Sequence, residues 1–316
     1  MTKRLVLSAA AAAAISTGVL WAQQAPAPAP AAPQGDTPPV IFRVEVDYVE
    51  ADVLVTDAQG NPVNDLKADE FEVLEDGKPQ TLTYFSPGGE NSEVPLHLGL
   101  LFDTSESMQR DLAFSRTAAI KFLGTFPKAV DFTLVDFDTQ VRAARFSQAE
   151  FPRLVERIRS RAAKGDTALY DALSVYLGGA FEQTGRKVLV LYTDGGDTTS
   201  SRSWPEALRI LRASDVTVYP IGFMENQRFS ARATQESRLN EMARLTGGLA
   251  FFPSGMKELD TMYGRISSEV RAQYVLGYVS TNSTRDGAWR KVNVRVNRPG
   301  ARLTVRTREG YFAGSK

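Results

Sequence analysis

Phe102-Asp-Thr-Ser-Glu-Ser-Met108 and Tyr192-Thr-Asp-Gly-Gly-Asp197 decide the fold of this 316-residue chain. Each polar cluster follows an apolar, β-prone run, Leu96 to Phe102 in the first case and Val188 to Tyr192 in the second, and each precedes a helix-like segment. The hydroxyls and carboxylates therefore fall at the C-terminal ends of strands, where open α/β sheets bind ligands. Together with Thr167, which lies between the two clusters, Asp103, Ser105, Ser107 and Asp194 read as a site for a divalent metal ion. Alternate residues of an extended segment share a side, so a short loop can turn Ser105 and Ser107 toward the point that Asp103 faces. Their hydroxyls are hard oxygen ligands of the kind that suits Mg²⁺, which readily keeps some of its water. The same residue types also cap helices. Any one segment alone supports that plainer reading; three segments in order at strand ends favour the metal.

Outward from these runs, strands alternate with helices. Leu96 to Phe102, Phe132 to Asp138, Val141 to Phe146, Lys187 to Thr193, Val216 to Phe223 and the short Leu249 to Phe252 read as strands. Met108 to Phe126, Phe151 to Arg161, Leu169 to Phe181, Trp204 to Ala213, Ser237 to Leu245 and Met256 to Val270 read as helices. Such alternation predicts an α/β domain over residues 93–270, doubly wound and Rossmann-like, its mostly parallel sheet covered by helices on both faces.

The flanks, 40–92 and 271–316, are β in pattern. Phe42, Val44, Val46 and Tyr48 alternate with polar neighbours, and Phe71 to Leu74 and Gln80 to Phe85 bracket Glu75-Asp-Gly-Lys78, a strong hairpin signal. Past Arg271, Tyr274 to Val279, Trp289 to Val296 and Leu303 to Arg306 are extended. The chain has no cysteine, so neither short flank has a disulfide to hold it folded alone. Both are expected to share one small β-sandwich into which the α/β domain is inserted.

Residues 1–22 have the order of a secretory signal peptide: Lys3 and Arg4, an apolar stretch from Leu5 to Trp21, then Ala22. Residues 23–39 form a Pro/Ala-rich linker, a spacer from a membrane or wall. The expectation is an exported protein, periplasmic or extracellular, in the cell envelope. Left uncleaved, the leader would anchor it, since its apolar stretch approaches the ~18 to 20 residues of a spanning helix. Lys+Arg and Asp+Glu each number 37, so no polybasic face exists for nucleic acid or for strong binding of the mature domain to a membrane surface.

Asp103-Thr-Ser-Glu-Ser107, Thr167 and Asp194 resemble the D-x-S-x-S, T, D metal-ion-dependent adhesion site of von Willebrand factor type A (VWA) domains. Gly165-Asp-Thr-Ala-Leu-Tyr-Asp-Ala172, Thr193-Asp-Gly195 and Val218-Tyr-Pro-Ile-Gly222 agree with the same family. The flanks, with Leu74-Glu-Asp-Gly-Lys78, Tyr274-Val-Leu-Gly-Tyr278 and Thr307-Arg-Glu-Gly-Tyr311, look like bacterial VWFA-related proteins first grouped in acidobacteria. The resemblance implies Mg²⁺, with Mn²⁺ or Ca²⁺ as substitutes, and a division of labour. Ser105, Ser107 and Thr167 look like direct ligands, while Asp103 and Asp194 resemble the acids that hold the ion through water. Mostly neutral direct ligands leave the cation short of negative oxygen, which the Asp or Glu carboxylate of a protein partner would supply. The resemblance also implies an axial shift of the last helix, Met256 to Val270, linked to ligand engagement and able to tilt the sandwich.

Asp166 stands where relatives often carry Gly or a neutral residue, and Asp197 lies just beyond Asp194. Either carboxylate would strengthen metal binding and blunt the demand for a partner's acid if it reached the ion; both also read as solvated loop residues.

Enzymatic readings find little support. His97 is the only histidine and sits within an apolar strand, no G-x-S-x-G elbow surrounds a serine, and neither zinc ligands nor a P-loop are present. A phosphatase with Asp103 as nucleophile would lack the second Asp two residues later, where Ser105 stands. The remaining alternative is an envelope scaffold or assembly subunit whose metal is structural.

Overall fold

The computed structural model describes residues 48–89, 92–225, 227 and 229–315. The expected signal peptide, the linker and the alternating residues Phe42, Val44 and Val46 lie outside the described residues.

The N-terminal flank forms β1 (Tyr48–Thr56), β2 (Phe71–Glu75), β3 (Lys78–Gln80) and β4 (Leu82–Ser86). The α/β part follows as β5 (Leu96–Asp103), α1 (Leu112–Leu123), β6 (Asp131–Phe137), β7 (Val141–Ser147), α2 (Phe151–Ser160), α3 (Leu169–Ala180), β8 (Arg186–Thr193), α4 (Trp204–Ala213), β9 (Thr217–Gly222), α5 (Phe229–Thr246) and α6 (Met256–Ala272). The C-terminal flank adds β10 (Tyr274–Val279), β11 (Trp289–Val296), β12 (Thr304–Arg306) and β13 (Gly310–Phe312).

The central sheet has the order β7-β6-β5-β8-β9, parallel except for the β6–β7 hairpin. Every residue of β5 and β8 is buried, as strands covered on both faces must be. Their period of two divides the interior. Leu98, Leu100, Phe102, Val188, Val190 and Tyr192 join a core shared with α1, α2 and α6, whereas Leu101, Leu189 and Leu191 join one shared with α3, α4 and α5. Gly99 is the exception that packing requires: a Cβ there would lie 2.2 Å from the Tyr176 ring of α3.

Both flanks interleave in two four-stranded sheets, β12-β1-β10-β4 and β13-β11-β2-β3. The pairings β1–β10, β1–β12, β10–β4 and β11–β2 each join the N-terminal flank to the C-terminal one. A single apolar core, built from Val53, Val73, Tyr274, Leu276, Val292 and Val294 among others, draws on both sheets. Asp76 and Gly77, at φ 49° and 81°, make the tight turn between β2 and β3. Buried Glu75 accepts hydrogen bonds from Tyr278 Oη, Ser280 Oγ and Tyr311 Oη at 3.0, 2.6 and 2.8 Å, so hydroxyls from the C-terminal flank satisfy an acid of the N-terminal one. The sandwich is clasped to the α/β part by Glu269 of α6, which pairs with Arg306 of β12 and lies 3.0 Å from Arg265 Nε.

Five elements differ from the sequence reading. The expected strand Gln80 to Phe85 divides at Thr81 into β3, which pairs with β2, and β4, which pairs with β10 in the other sheet. The first helix begins at Leu112 rather than Met108, after a 3₁₀ turn over Glu106–Arg110, because the preceding loop holds Ser105 extended. α5 starts eight positions before Ser237, at Phe229; residues 230–237 are exposed or half-buried and rich in good helix formers, and show no apolar period. Leu249 to Phe252 contributes one parallel bridge, Ile221 to Phe251, and no strand. β13 adds a short edge strand that the sequence did not announce.

A peptide of residues 48–89 is expected to show no cooperative thermal transition by circular dichroism, because β1, β2 and β4 lose their β10 and β11 partners. A two-state melt of that fragment would contradict the shared core.

Candidate metal centre

Asp103 ends β5 with no exposed surface. Its Oδ1 accepts the backbone N–H of Ser105 at 2.9 Å, and its Oδ2 accepts Thr193 Oγ–H from the end of β8 at 2.7 Å. Thr193 Oγ1 in turn accepts the Gly195 N–H at 3.0 Å, so the turn after β8 fixes the hydroxyl that fixes the acid. Asp194 is also buried; Gly196 N–H binds its Oδ1 at 3.0 Å and Gln227 Nε2 its Oδ2 at 2.6 Å. Gly195, at φ 80°, has no room for a side chain, since a Cβ would lie 2.9 Å from Gln235 Cβ.

Ser105 is buried and Ser107 exposed, with their hydroxyl oxygens 3.1 Å apart. This loop is stitched to its neighbours. Thr104 donates through N–H and Oγ to the Phe137 carbonyl of β6, and Glu106 N–H reaches Gly165 O at 3.0 Å while Lys164 N–H reaches Thr104 O at 2.9 Å. Thr167, buried, is held through its backbone: its N–H donates to Thr198 Oγ1 at 2.9 Å and its carbonyl accepts from Thr198 and Thr199 N–H. The loops bearing all five residues thus converge at the C-terminal ends of β5 and β8. Direct side-chain contact joins Ser105 to Ser107, while Thr167 is brought to the corner by its loop.

The two extra acids have different roles. Asp197 Oδ2 accepts Tyr170 N–H at 3.0 Å and Ser200 Oγ–H at 2.6 Å, so it serves the first turn of α3. Asp166 is exposed, and its backbone N–H rests on Thr139 Oγ1 at 2.9 Å. Thr193 and Gln227 had no assigned role in the sequence reading. Thr193 was legible in principle, as a hydroxyl flanking Asp194; Gln227 lies in an irregular segment with neither motif nor period to mark it. His97 sits near the opposite end of β5, buried, with Nε2 3.1 Å from Thr184 O and Nδ1 3.1 Å from Asp131 Oδ1, as a satisfied core residue.

Burial, and then the neighbouring charge of Asp194, push the Asp103 carboxyl up from 3.8 to about 7, against the opposing hydrogen bonds from Ser105 and Thr193. Among the described residues no ion pair reaches Asp103 or Asp194, and no three His, Cys, Asp or Glu residues form a metal cluster. The corner is a set of hydroxyl and carboxylate oxygens, which fits Mg²⁺, Mn²⁺ or Ca²⁺ and not a nitrogen- and sulfur-seeking ion.

Because its folded pKa is raised, Asp103 holds a proton between about pH 4 and 7 that the unfolded chain releases, so its contribution to stability falls as pH rises through that window. In chelator, the wild type is expected to lose more thermal stability between pH 5 and 8 than Asp103→Asn. Equal losses in paired melts would contradict the assignment.

A family model, "von Willebrand factor type A domain", matches residues 97–265. Among solved structures, "von Willebrand factor type A from Catenulispora acidiphila" is similar at 12% identity and TM-score 0.49, covering 86% of this chain and 76% of that one. The vWF domain of the type V pili tip protein Mfa5 from Porphyromonas gingivalis is similar at 12% identity and TM-score 0.47, covering 55% and 95%. The PilB minor pilin from Streptococcus sanguinis is similar at 15% identity and TM-score 0.46, covering 58% of this chain; the chain spans only 62% of the pilin's length. No curated protein matches. The model match spans more than half of the 316 residues, and the chain belongs to the von Willebrand factor type A domain family.

Proposed function

We propose that this protein is an exported, metal-dependent protein-binding module, in which Asp103, Ser105, Ser107, Thr167 and Asp194 hold Mg²⁺, or Mn²⁺ or Ca²⁺ in its place, and a partner's Asp or Glu carboxylate completes the site. The observation that carries this reading is the pair of buried acids, Asp103 and Asp194, each oriented by hydrogen bonds and neither met by a cationic side chain among the described residues. Two such carboxylates destabilise each other unless a proton or a cation intervenes. When bound, the ion supplies positive charge with affinity for an anionic oxygen.

The protein's own groups set the geometry. Thr193 and the Ser105 backbone aim Asp103; Gly196 and Gln227 aim Asp194. Exposed Ser107 stands on the solvent side, where a partner's carboxylate would approach. Binding rather than turnover is favoured because His97 lies near the far end of β5 and Ser105 replaces the second acid of an aspartyl phosphatase. Export rests on the composition of residues 1–39; no helix among the described residues is long and apolar enough to cross a membrane.

Immobilised full-length protein is expected to retain envelope proteins in Mg²⁺ and to release them on chelation, with Ser105→Ala retaining none. Retention that survives both chelator and Ser105→Ala would establish the scaffold alternative instead. Thr193→Val, which removes the hydroxyl holding Asp103, should weaken Mg²⁺ affinity by about ten- to hundredfold in calorimetry; unchanged affinity would contradict its positioning role.

A further inference from the structure

Six large apolar side chains are conspicuously exposed among the described residues, and four of them, Tyr48 (46%), Tyr84 (41%), Phe181 (58%) and Phe312 (39%), line one groove of about 780 Å³. Single exposed apolar residues need no explanation, but their convergence marks an interaction surface. The groove runs where the outer face of β1, β10 and β4 meets the N-terminal end of β8 and the edge strand β13. Its aromatic wall is fixed in place. Tyr48 on β1 and Tyr84 on β4 close over Gly277 of β10 between them; a Cβ on Gly277 would lie 2.1 Å from Tyr48 Oη and 2.9 Å from Tyr84 Cβ.

The charges of the groove do not cancel. Three carboxylates, Glu50, Glu93 and Asp215, line it against two bases: Lys187, paired with Asp215 at 2.5 Å, and Arg308, whose guanidinium lies 5.7 Å from the Tyr311 ring centroid. Glu50 and Glu93 line the same groove, both exposed, with no basic side chain paired to either among the described residues. Glu50 adjoins the Tyr48 hydroxyl, whose pKa is raised by burial first and then by that carboxylate. Electron-rich ring faces beside carboxylates that have no salt-bridge partner are the chemistry that holds an ammonium or guanidinium group.

We propose that this groove docks a basic, extended segment of a partner protein, with Lys or Arg side chains lying over Tyr48 and Tyr84 and neutralised by Glu50 and Glu93. Its polarity is opposite to that proposed for the metal centre, which seeks an acid. The two surfaces also sit at opposite poles: Pro95 and Lys187 line the groove at the start of β5 and β8, and Asp103 ends β5, roughly 25 Å away at ~3.3 Å per strand residue. One partner with an acidic and a basic element, or two partners, can therefore be held together.

Calorimetric titration of the full-length protein with N-acetyl-tetralysine amide, in chelator so that the metal centre is silent, tests this. Tetralysine is expected to bind and tetraglutamate not to bind. Glu50→Gln with Glu93→Gln should weaken the lysine peptide by about tenfold or more, and Tyr84→Ser similarly, while Ser105→Ala leaves it unchanged. The two glutamates are surface residues, so the double variant reads the site even if Tyr84→Ser fails to fold. Absence of lysine-peptide binding, equal binding by the double variant, or equal binding of tetraglutamate would overturn the proposal. So would sedimentation showing a homodimer that Phe181→Ser dissolves, because the groove would then be covered by a second copy.

Discussion

Burial of β5 and β8 on both faces is the constraint from which the rest of the structure follows. Two parallel strands sandwiched between helix layers must keep one face of their side chains toward α1, α2 and α6 and the other toward α3, α4 and α5. A one-residue slip would turn each strand's entire set to the wrong core. The register that results pairs Phe102 with Tyr192, which sets Asp103 beside Thr193 and brings Asp194 within electrostatic reach. The hydrophobic core thereby holds two acids together that repel each other. Their placement is a consequence of packing.

What was legible in the sequence is what carries a period or a motif. β5 and β8 were readable as apolar runs ending in polar clusters, and the turn at Asp76 and Gly77 was readable from its residue types alone. The start of α5 escaped because residues 230–237 have no apolar face to repeat, and β13 escaped because three edge residues are too few for alternation to show. At the site, Asp103, Ser105 and Ser107 could be grouped from their spacing. Gln227 could not, because its contact with Asp194 depends on where an irregular segment returns after β9.

The flanks extend the same logic. No disulfide braces them, so their strands find stability only by pairing across the α/β insertion. Glu75 shows how completely the two halves are joined, since the buried acid of one is satisfied by hydroxyls of the other. Glu269 makes a second junction, tying α6, where it also pairs with Arg265 one turn earlier, to Arg306 of β12. A shift of α6 along its axis would have to break or carry this pair, which makes the sandwich a mechanical load on the helix. The groove at the opposite pole is formed by residues of both parts, so its shape depends on the same junction.

On the proposed function, the oxygen-lined corner at the ends of β5 and β8 is the centre of the protein's chemistry. Anomalous diffraction from crystals of the full-length protein grown with Mn²⁺ tests that most directly. The account predicts one manganese peak bounded by Ser105, Ser107 and Thr167, with Asp103 and Asp194 behind it; absence of a peak there, or a peak only elsewhere on the molecule, would contradict it.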